Sequence, residues 1–359
     1  MTYEFEPACR RMEWLDPFYK QVWEKAYADA IPISGTFELT PRCNFNCSFC
    51  YVHLKEKDIS KYGQELTAKQ WIEIAKQAKD EGTTWLCITG GEPLLHPDFE
   101  EIYTTLAKMG FFITLQTNGY LIKDKYIKIF EDYPPRGIKI TLYGASDETY
   151  QKVCGIKDGF TKVHQGIQLL RQMKIPVQLV STITKQNIEE HKKMAFYAFI
   201  NQIPYASTGG IRNSIRKENA ELDEIRLKEN IEKSKIEEIK HFINNPINIE
   251  RKPCTYCKDY RLGYWITWDG KIRFCSFLNE PDISIKELSF KEAWQRLVEF
   301  EDQLDWPQEC KKCDFSKVCF KCAATLATNS GSVHKINKEY CKKIRDYYKR
   351  VKEEDKTNE

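Results

Sequence analysis

Eleven cysteines of this chain fall into two sets whose spacing suits metal-centred redox chemistry. The first is Cys43, Cys47 and Cys50, in the C-x3-C-x2-C pattern of the segment CNFNCSFCY. Three thiolates can hold three irons of a [4Fe–4S] cube and leave the fourth iron open, which substrate-coordinating chemistry requires. A zinc knuckle completed by His53 is the alternative, although zinc loops usually pair their cysteines as C-x2-C. The second set reads Cys254-x2-Cys257, Gly270-x4-Cys275, Cys310-x2-Cys313-x5-Cys319-x2-Cys322 and Cys341. Eight thiols can supply four ligands to each of two clusters, or serve a pair of tetrahedral zinc sites. A third segment is Thr89-Gly90-Gly91-Glu92-Pro93. Its glycines let backbone approach a ligand closely, and its carbonyls and Glu92 can accept hydrogen bonds from an ammonium group.

Such chemistry needs reduced thiols. The N-terminus MTYEFEPACRRMEW lacks the order of a secretory signal, and no apolar run approaches the ~20 residues of a membrane span. A cytoplasmic location is therefore expected, where cysteines are metal ligands more readily than disulfides. The 359 residues carry a net charge of only +3 with 30% charged side chains. That is a mixed, solvated surface without the concentrated basic face of a nucleic-acid binder, and Lys311-Lys312 and Lys342-Lys343 are too short to change it.

The elements that must position these residues follow from the pattern. Trp14, Phe18, Tyr19, Val22, Trp23 and Tyr27 recur at helical spacing and predict a helical segment within residues 1–32. From residue 33 short β-rich runs alternate with amphipathic stretches. Candidate strands are Gly35–Thr40, Thr84–Thr89, Phe111–Gln116, Ile138–Tyr143, Val177–Ile183 and Ala206–Ile211, with helices such as Ala68–Lys79, Glu100–Lys108 and Phe160–Met173 between them. Thr67 caps the first helix, and Gly82 and Gly110 end two of them. The alternation implies βαβ units, a parallel sheet and an α/β partial (β/α)6 barrel over residues 33–214, with chemistry at the C-terminal strand ends. Residues 215–253, with Leu227, Ile231, Ile236, Ile239 and Ile243, predict one bridging helix; a cysteine-rich domain over 254–350 and a disordered tail at 351–359 follow.

With CNFNCSFCY, its aromatic Phe49, and GGEP some forty residues further on, the chain resembles the radical S-adenosylmethionine (SAM) superfamily. In that family the open iron is chelated by the amine and carboxylate of SAM, and an electron from the cluster breaks a sulfur–carbon bond to give methionine and a 5′-deoxyadenosyl radical. The resemblance implies that Gly90, Gly91 and Glu92 bind the methionyl amine. Phe49 would pack near the adenine and the Tyr51 backbone would contact it. Asn118, Thr141 and Ser181 would stand where the family places ribose or carboxylate contacts. Many relatives carry an arginine past the fourth strand for the methionyl carboxylate; here Cys154 stands near that place, and Lys139 or Arg212 could substitute.

The C-terminal cysteines resemble the SPASM domain of peptide- and protein-modifying radical enzymes. By that resemblance Cys254, Cys257, Cys275 and Cys322 hold the nearer auxiliary cluster and Cys310, Cys313, Cys319 and Cys341 the distal one. The chain departs from the family in having two residues, not three, between Cys319 and Cys322. Three [4Fe–4S] clusters and SAM are thus expected. The implied activity is maturation of a ribosomally made peptide by a thioether, a carbon–carbon cross-link or an epimerisation. Partners would be the precursor peptide and an electron donor such as flavodoxin or ferredoxin. Only 42 residues precede Cys43, about half of what a leader-binding domain needs, so leader binding would fall to the barrel, to the bridging helix or to a separate partner protein. Alternatives are anaerobic sulfatase maturation, a small-metabolite substrate, and an iron–sulfur scaffold. Sulfatase-maturing enzymes carry an aspartate base where this chain has Ser276, and a scaffold needs no cofactor-binding strand ends.

Overall fold

The computed structural model describes residues 17–214, 222–248 and 250–358. Helix α1 (Pro17–Asp29) precedes β1 (Ser34–Glu38), α2 (Glu56–Tyr62), α3 (Ala68–Asp80), β2 (Trp85–Thr89), α4 (Phe99–Lys108), β3 (Phe112–Thr117), α5 (Asp124–Asp132), β4 (Gly137–Thr141), α6 (Asp147–Cys154), α7 (Gly159–Gln172), β5 (Val177–Thr182), α8 (His191–Ile200) and β6 (Tyr205–Thr208). All the candidate strands and helices of this region appear, with ends moved by a few residues. In α1, Trp23 is buried and stacks on Trp85 at 5.3 Å; Trp14 lies outside the described residues.

The six strands pair in chain order, all parallel. Parallel neighbours need crossover helices, and right-handed crossovers put those helices on one face. Phe37, Leu86, Ile88, Leu115, Ile138, Ile140 and Leu179 meet them there and are almost fully buried. By strand alternation the opposite face carries Glu38, Cys87, Gln116, Lys139, Thr141 and Gln178. Two bonds run along that polar face: Gln116 Nε2 donates to Cys87 Sγ at 3.1 Å, and Trp265 Nε1 to Glu38 Oε2 at 3.0 Å. Thr67 and Gln70 form a capping box at the start of α3, and Gly82 and Gly110 end α3 and α4 with φ of +108° and +84°.

The C-terminal region holds α9 (Leu222–Ile225), α10 (Lys228–Asn244), β7 (Gly263–Ile266), β8 (Lys271–Arg273), β9 (Ile283–Ser284), α11 (Phe290–Gln303), α12 (Gln308–Lys311), α13 (Ala323–Ser330) and α14 (Lys338–Asn358). Strand β7 pairs parallel to β1, and β8 and β9 add antiparallel strands, giving one nine-stranded sheet of order β6-β5-β4-β3-β2-β1-β7-β8-β9. The sheet therefore runs across the expected boundary at residue 254. Tyr264 packs beneath Gly35, where a Cβ would meet its ring at 2.3 Å, and its hydroxyl lies 3.2 Å from Thr83 Oγ1.

Two expectations are corrected here. The bridging segment is not one helix among its described residues (215–221 and 249 lie outside them). It breaks between α9 and α10, where the Arg226 guanidinium binds Ile211 O at 3.1 Å and Asn213 Oδ1 at 2.6 Å. The tail is not disordered up to Asn358: α14 continues because Ile344 and Val351, two turns apart, are buried against Ile239 of α10.

Candidate functional site at the barrel rim

Strand β1 delivers the chain to Cys43 through Leu39–Arg42, and the Gly90-Gly91 turn folds back along this stretch. Gly91 N donates to Thr40 O at 2.7 Å and Glu92 N to Arg42 O at 2.8 Å. A Cβ on Gly90 would lie 2.7 Å from Thr40 O, and one on Gly91 2.3 Å from Arg42 O. The glycines thus admit the backbone of the cysteine loop, a closer constraint than the ligand approach expected of them. Arg42 holds the loop from the other side through Glu56, at 2.9 Å, and Glu65.

Cys43 Sγ accepts from Phe45 N at 3.4 Å and Cys50 Sγ from His53 N at 3.2 Å. Burial, then the Glu92 carboxylate, then the nearby thiols of Cys50 and Cys47 push the Cys43 thiol well above its ordinary range, with only the Phe45 N–H opposing. Thiols held in this way become thiolates when a cation joins them, and bound iron supplies that charge. Among the described residues no three His, Cys, Asp or Glu side chains close around a single metal ion. Thiolates on one zinc would stand about 4 Å apart, given Zn–S bonds near 2.3 Å. In chemistry the set, three thiols and no other ligand type, is the kind that binds three irons of a cube.

Glu92 is fully buried and already occupied. Thr117 Oγ1 donates to both of its oxygens at 2.8 and 2.9 Å, Asn118 N to Oε2 at 2.8 Å and Leu94 N to Oε1 at 3.1 Å. Burial pushes its pKa up to about 7 against those three donors. Its side chain therefore ties the end of β2 to the end of β3, and acceptors for an amine at this turn are the backbone carbonyls. Asn118 donates through Nδ2 to Asn44 Oδ1 at 2.8 Å and faces Cys43 Sγ at 3.8 Å. Asn44 and Thr117 were not legible from sequence, because polar strand-end residues carry no spacing signal.

Phe49 lies 6.1 Å from the Tyr143 ring, ring centre to ring centre. Thr141 and Lys139 sit on the polar face at the end of β4. The Tyr51 ring packs on Phe277 at 4.7 Å, and its carbonyl lies 3.4 Å from the Ser214 hydroxyl. Ser181 is corrected: it is buried on the helix-facing side, its hydroxyl donating to Leu142 O at 2.6 Å and lying 3.7 Å from Met194 Sδ, so it does not face a ribose. Cys154 is buried behind the loop, its carbonyl accepting from Asn46 N at 2.9 Å. Arg212 points away from the rim, with Nη1 3.3 Å from Thr325 Oγ1 and 4.0 Å from Cys322 Sγ.

The C-terminal cysteines gather into two groups. Cys254 is within electrostatic reach of Cys257, Cys322 and Cys275, and Cys310 of Cys319, Cys341 and Cys313. The second four line a cavity of about 90 Å³, room for several non-hydrogen atoms. Burial raises Cys254 and Cys257, whereas for Cys322 burial is outweighed by Arg212 and Thr325, and its thiol falls below the ordinary value.

Comparison with known proteins agrees with this architecture. The family described as the radical SAM superfamily matches residues 37–198. A probable GTP 3′,8-cyclase of Saccharolobus islandicus is 30% identical over 272 residues, 70% of this chain and 84% of that protein. The sporulation killing factor maturation protein SkfB of Bacillus subtilis is 29% identical over 160 residues, 45% of this chain and only 38% of that protein. Among solved structures, Streptococcus suis SuiB bound to precursor peptide SuiA shares the fold with a TM-score of 0.62 at 17% identity, over 90% of this chain and 80% of that one. With the cysteine loop, the Gly-Gly-Glu-Pro turn and the partial barrel in place, the chain belongs to the radical SAM superfamily.

Proposed function

We propose that this radical SAM enzyme is a maturase of a ribosomally made peptide and carries three [4Fe–4S] clusters. The observation that carries the reading is the gathering of eight C-terminal cysteines into two four-thiol groups, in a region whose strands continue the barrel sheet, as in a SPASM domain. The similarity to SkfB and the fold shared with a precursor-peptide complex support a peptide substrate. When bound, the cluster and SAM supply reductive carbon–sulfur cleavage and, through it, hydrogen abstraction.

The chain's own residues supply position and shelter. Cys43, Cys47 and Cys50 would hold three irons of the cluster. The carbonyls of the Gly90-Gly91 turn would take the methionyl amine, Phe49, beside Tyr143, would pack near the adenine, and Asn118 and Thr141 would offer polar contacts. Lys139, a cation on the polar face, is the candidate partner of the methionyl carboxylate. The two C-terminal cysteine groups would hold auxiliary clusters, which would supply an electron acceptor or a substrate site. The product is a thioether, a carbon–carbon cross-link or an epimer, and the enzyme works in the cytoplasm with a flavodoxin- or ferredoxin-like donor.

A second reading, a small-metabolite substrate, is favoured by one observation: the relative matched over 70% of this chain is named a cyclase of a nucleotide. Sulfatase maturation has less support, since Ser276, at the place of the family's aspartate, is buried and a poor base. The deciding experiment is anaerobic incubation with a low-potential reductant, SAM and the precursor peptide encoded beside the gene. The peptide should lose two hydrogens, or take up one deuterium from heavy water, and Cys47→Ala should release no 5′-deoxyadenosine. An unchanged peptide alongside turnover of a metabolite would establish the second reading instead.

A further inference from the structure

Arg212 leaves the barrel at the loop after β6 and reaches into the cysteine-rich region. The loop is held on both flanks, which fixes where that charge lies. On one side Arg226 binds Ile211 O and Asn213 Oδ1. On the other, Asn213 Nδ2 donates to Thr328 O of α13 at 3.2 Å. Arg212 itself spans 3.3 Å to Thr325 Oγ1 and 4.0 Å to Cys322 Sγ, and its guanidinium lies 5.7 Å from the centre of the Phe277 ring. Cys322 is in addition the residue that caps α13, so the positive end of an eight-residue helix adds to the Arg212 charge. Thr325 Oγ1 stands 3.5 Å from the same sulfur. Three favourable electrostatic contributions therefore converge on one thiol of the Cys254, Cys257, Cys275 and Cys322 group.

Adding an electron to an iron–sulfur cluster adds negative charge, and cations and hydrogen bonds at its sulfurs favour the reduced form. We propose that Arg212 is a positioning residue of the auxiliary group that contains Cys322, raising its reduction potential so that it serves as the electron-accepting centre. This rests on the reading of that group as a cluster. The contacts around Arg212 also give a route toward the SAM-binding loop. Phe277, which lies under the guanidinium, packs on Tyr51 at 4.7 Å, and Tyr51 follows Cys50 directly.

The test uses the full chain, reconstituted anaerobically with iron and sulfide, and redox titration followed by electron paramagnetic resonance. In R212Q one auxiliary centre should become about tenfold harder to reduce, a shift of about 59 mV for a one-electron couple. The centre on Cys43, Cys47 and Cys50 should keep its potential and the iron content should be unchanged. R212K, which keeps the charge but not the fork, should shift less. T325V, which keeps Arg212, should move the same centre in the same direction and carries the test if R212Q loses iron. Unchanged potentials in iron-replete R212Q, or in iron-replete T325V should R212Q lose iron, overturn the proposal. A wild-type protein holding about four irons instead of about twelve overturns the cluster reading itself, and this inference with it.

Discussion

At the scale of single residues, the site is governed by what each buried group is already bonded to. Glu92 shows this: four contacts from three donors occupy its carboxylate, yet burial still raises its pKa to about 7 from an ordinary value near 4.5. A carboxyl whose folded pKa is raised binds more protons in the native state, so its contribution is present below about pH 4.5 and is lost as pH rises to about 7. Relative to Glu92→Gln, the metal-free wild type should lose about 2–3 kcal/mol of stability between pH 5 and pH 8, at 1.36 kcal/mol per unit. Denaturant titrations of both proteins across that range measure it, and parallel pH profiles would refute it. At this scale the sequence was partly legible. The cysteine spacings and the Gly-Gly-Glu-Pro turn stood out because metal ligation and close backbone approach restrict residue type severely. The roles of Asn44, Thr117 and Ser181 did not, since hydroxyls and amides are tolerated at any strand end and only the fold decides which way they turn.

At the scale of elements, the α10–α14 pair shows which interactions hold the periphery. Ion pairs Lys240–Glu354, at 2.8 Å, and Arg350–Glu232 cross it on the surface. Exposed pairs contribute about 0–1 kcal/mol. Ile344, 2% exposed between Ile239 and Val351, should matter more: Ile344→Ala should cost about 2–5 kcal/mol and Glu354→Ala under about 1. Because Cys341 lies one turn before Ile344, the first variant should also speed hydrogen exchange around Cys341. Equal costs for the two variants would sink this account. The helical stripe of α10 could be read from its isoleucines, but its partner could not, because α14 presents a highly charged sequence with few apolar positions. That charge pattern suggested a free tail, and only packing against α10 shows otherwise.

At the scale of the whole molecule, β1 is the pivot: β2 flanks it on one side and β7, from the cysteine-rich region, on the other. Trp294 of α11 donates to Ala30 O at 2.7 Å and Tyr264 fills the space beneath Gly35, so the barrel's first strand rests on the C-terminal half. A chain ending at residue 253 should therefore lack cooperative thermal unfolding and near-ultraviolet circular dichroism; a monomer melting sharply would contradict this. The strand count and order from β1 to β6 were legible, because local strand–helix alternation dictates them. The return of β7 to β1 was not, since Ser34 and Gly263 are paired by topology alone. That return has a consequence for how the protein is made. The strand that presents Cys43 emerges early in synthesis, but its second neighbour emerges only after most of the chain. Until then β1 keeps an open edge, a row of unpaired backbone groups that another chain could pair with. The nascent protein is therefore most open to pairing with its neighbours on the ribosome in the interval before β7 arrives.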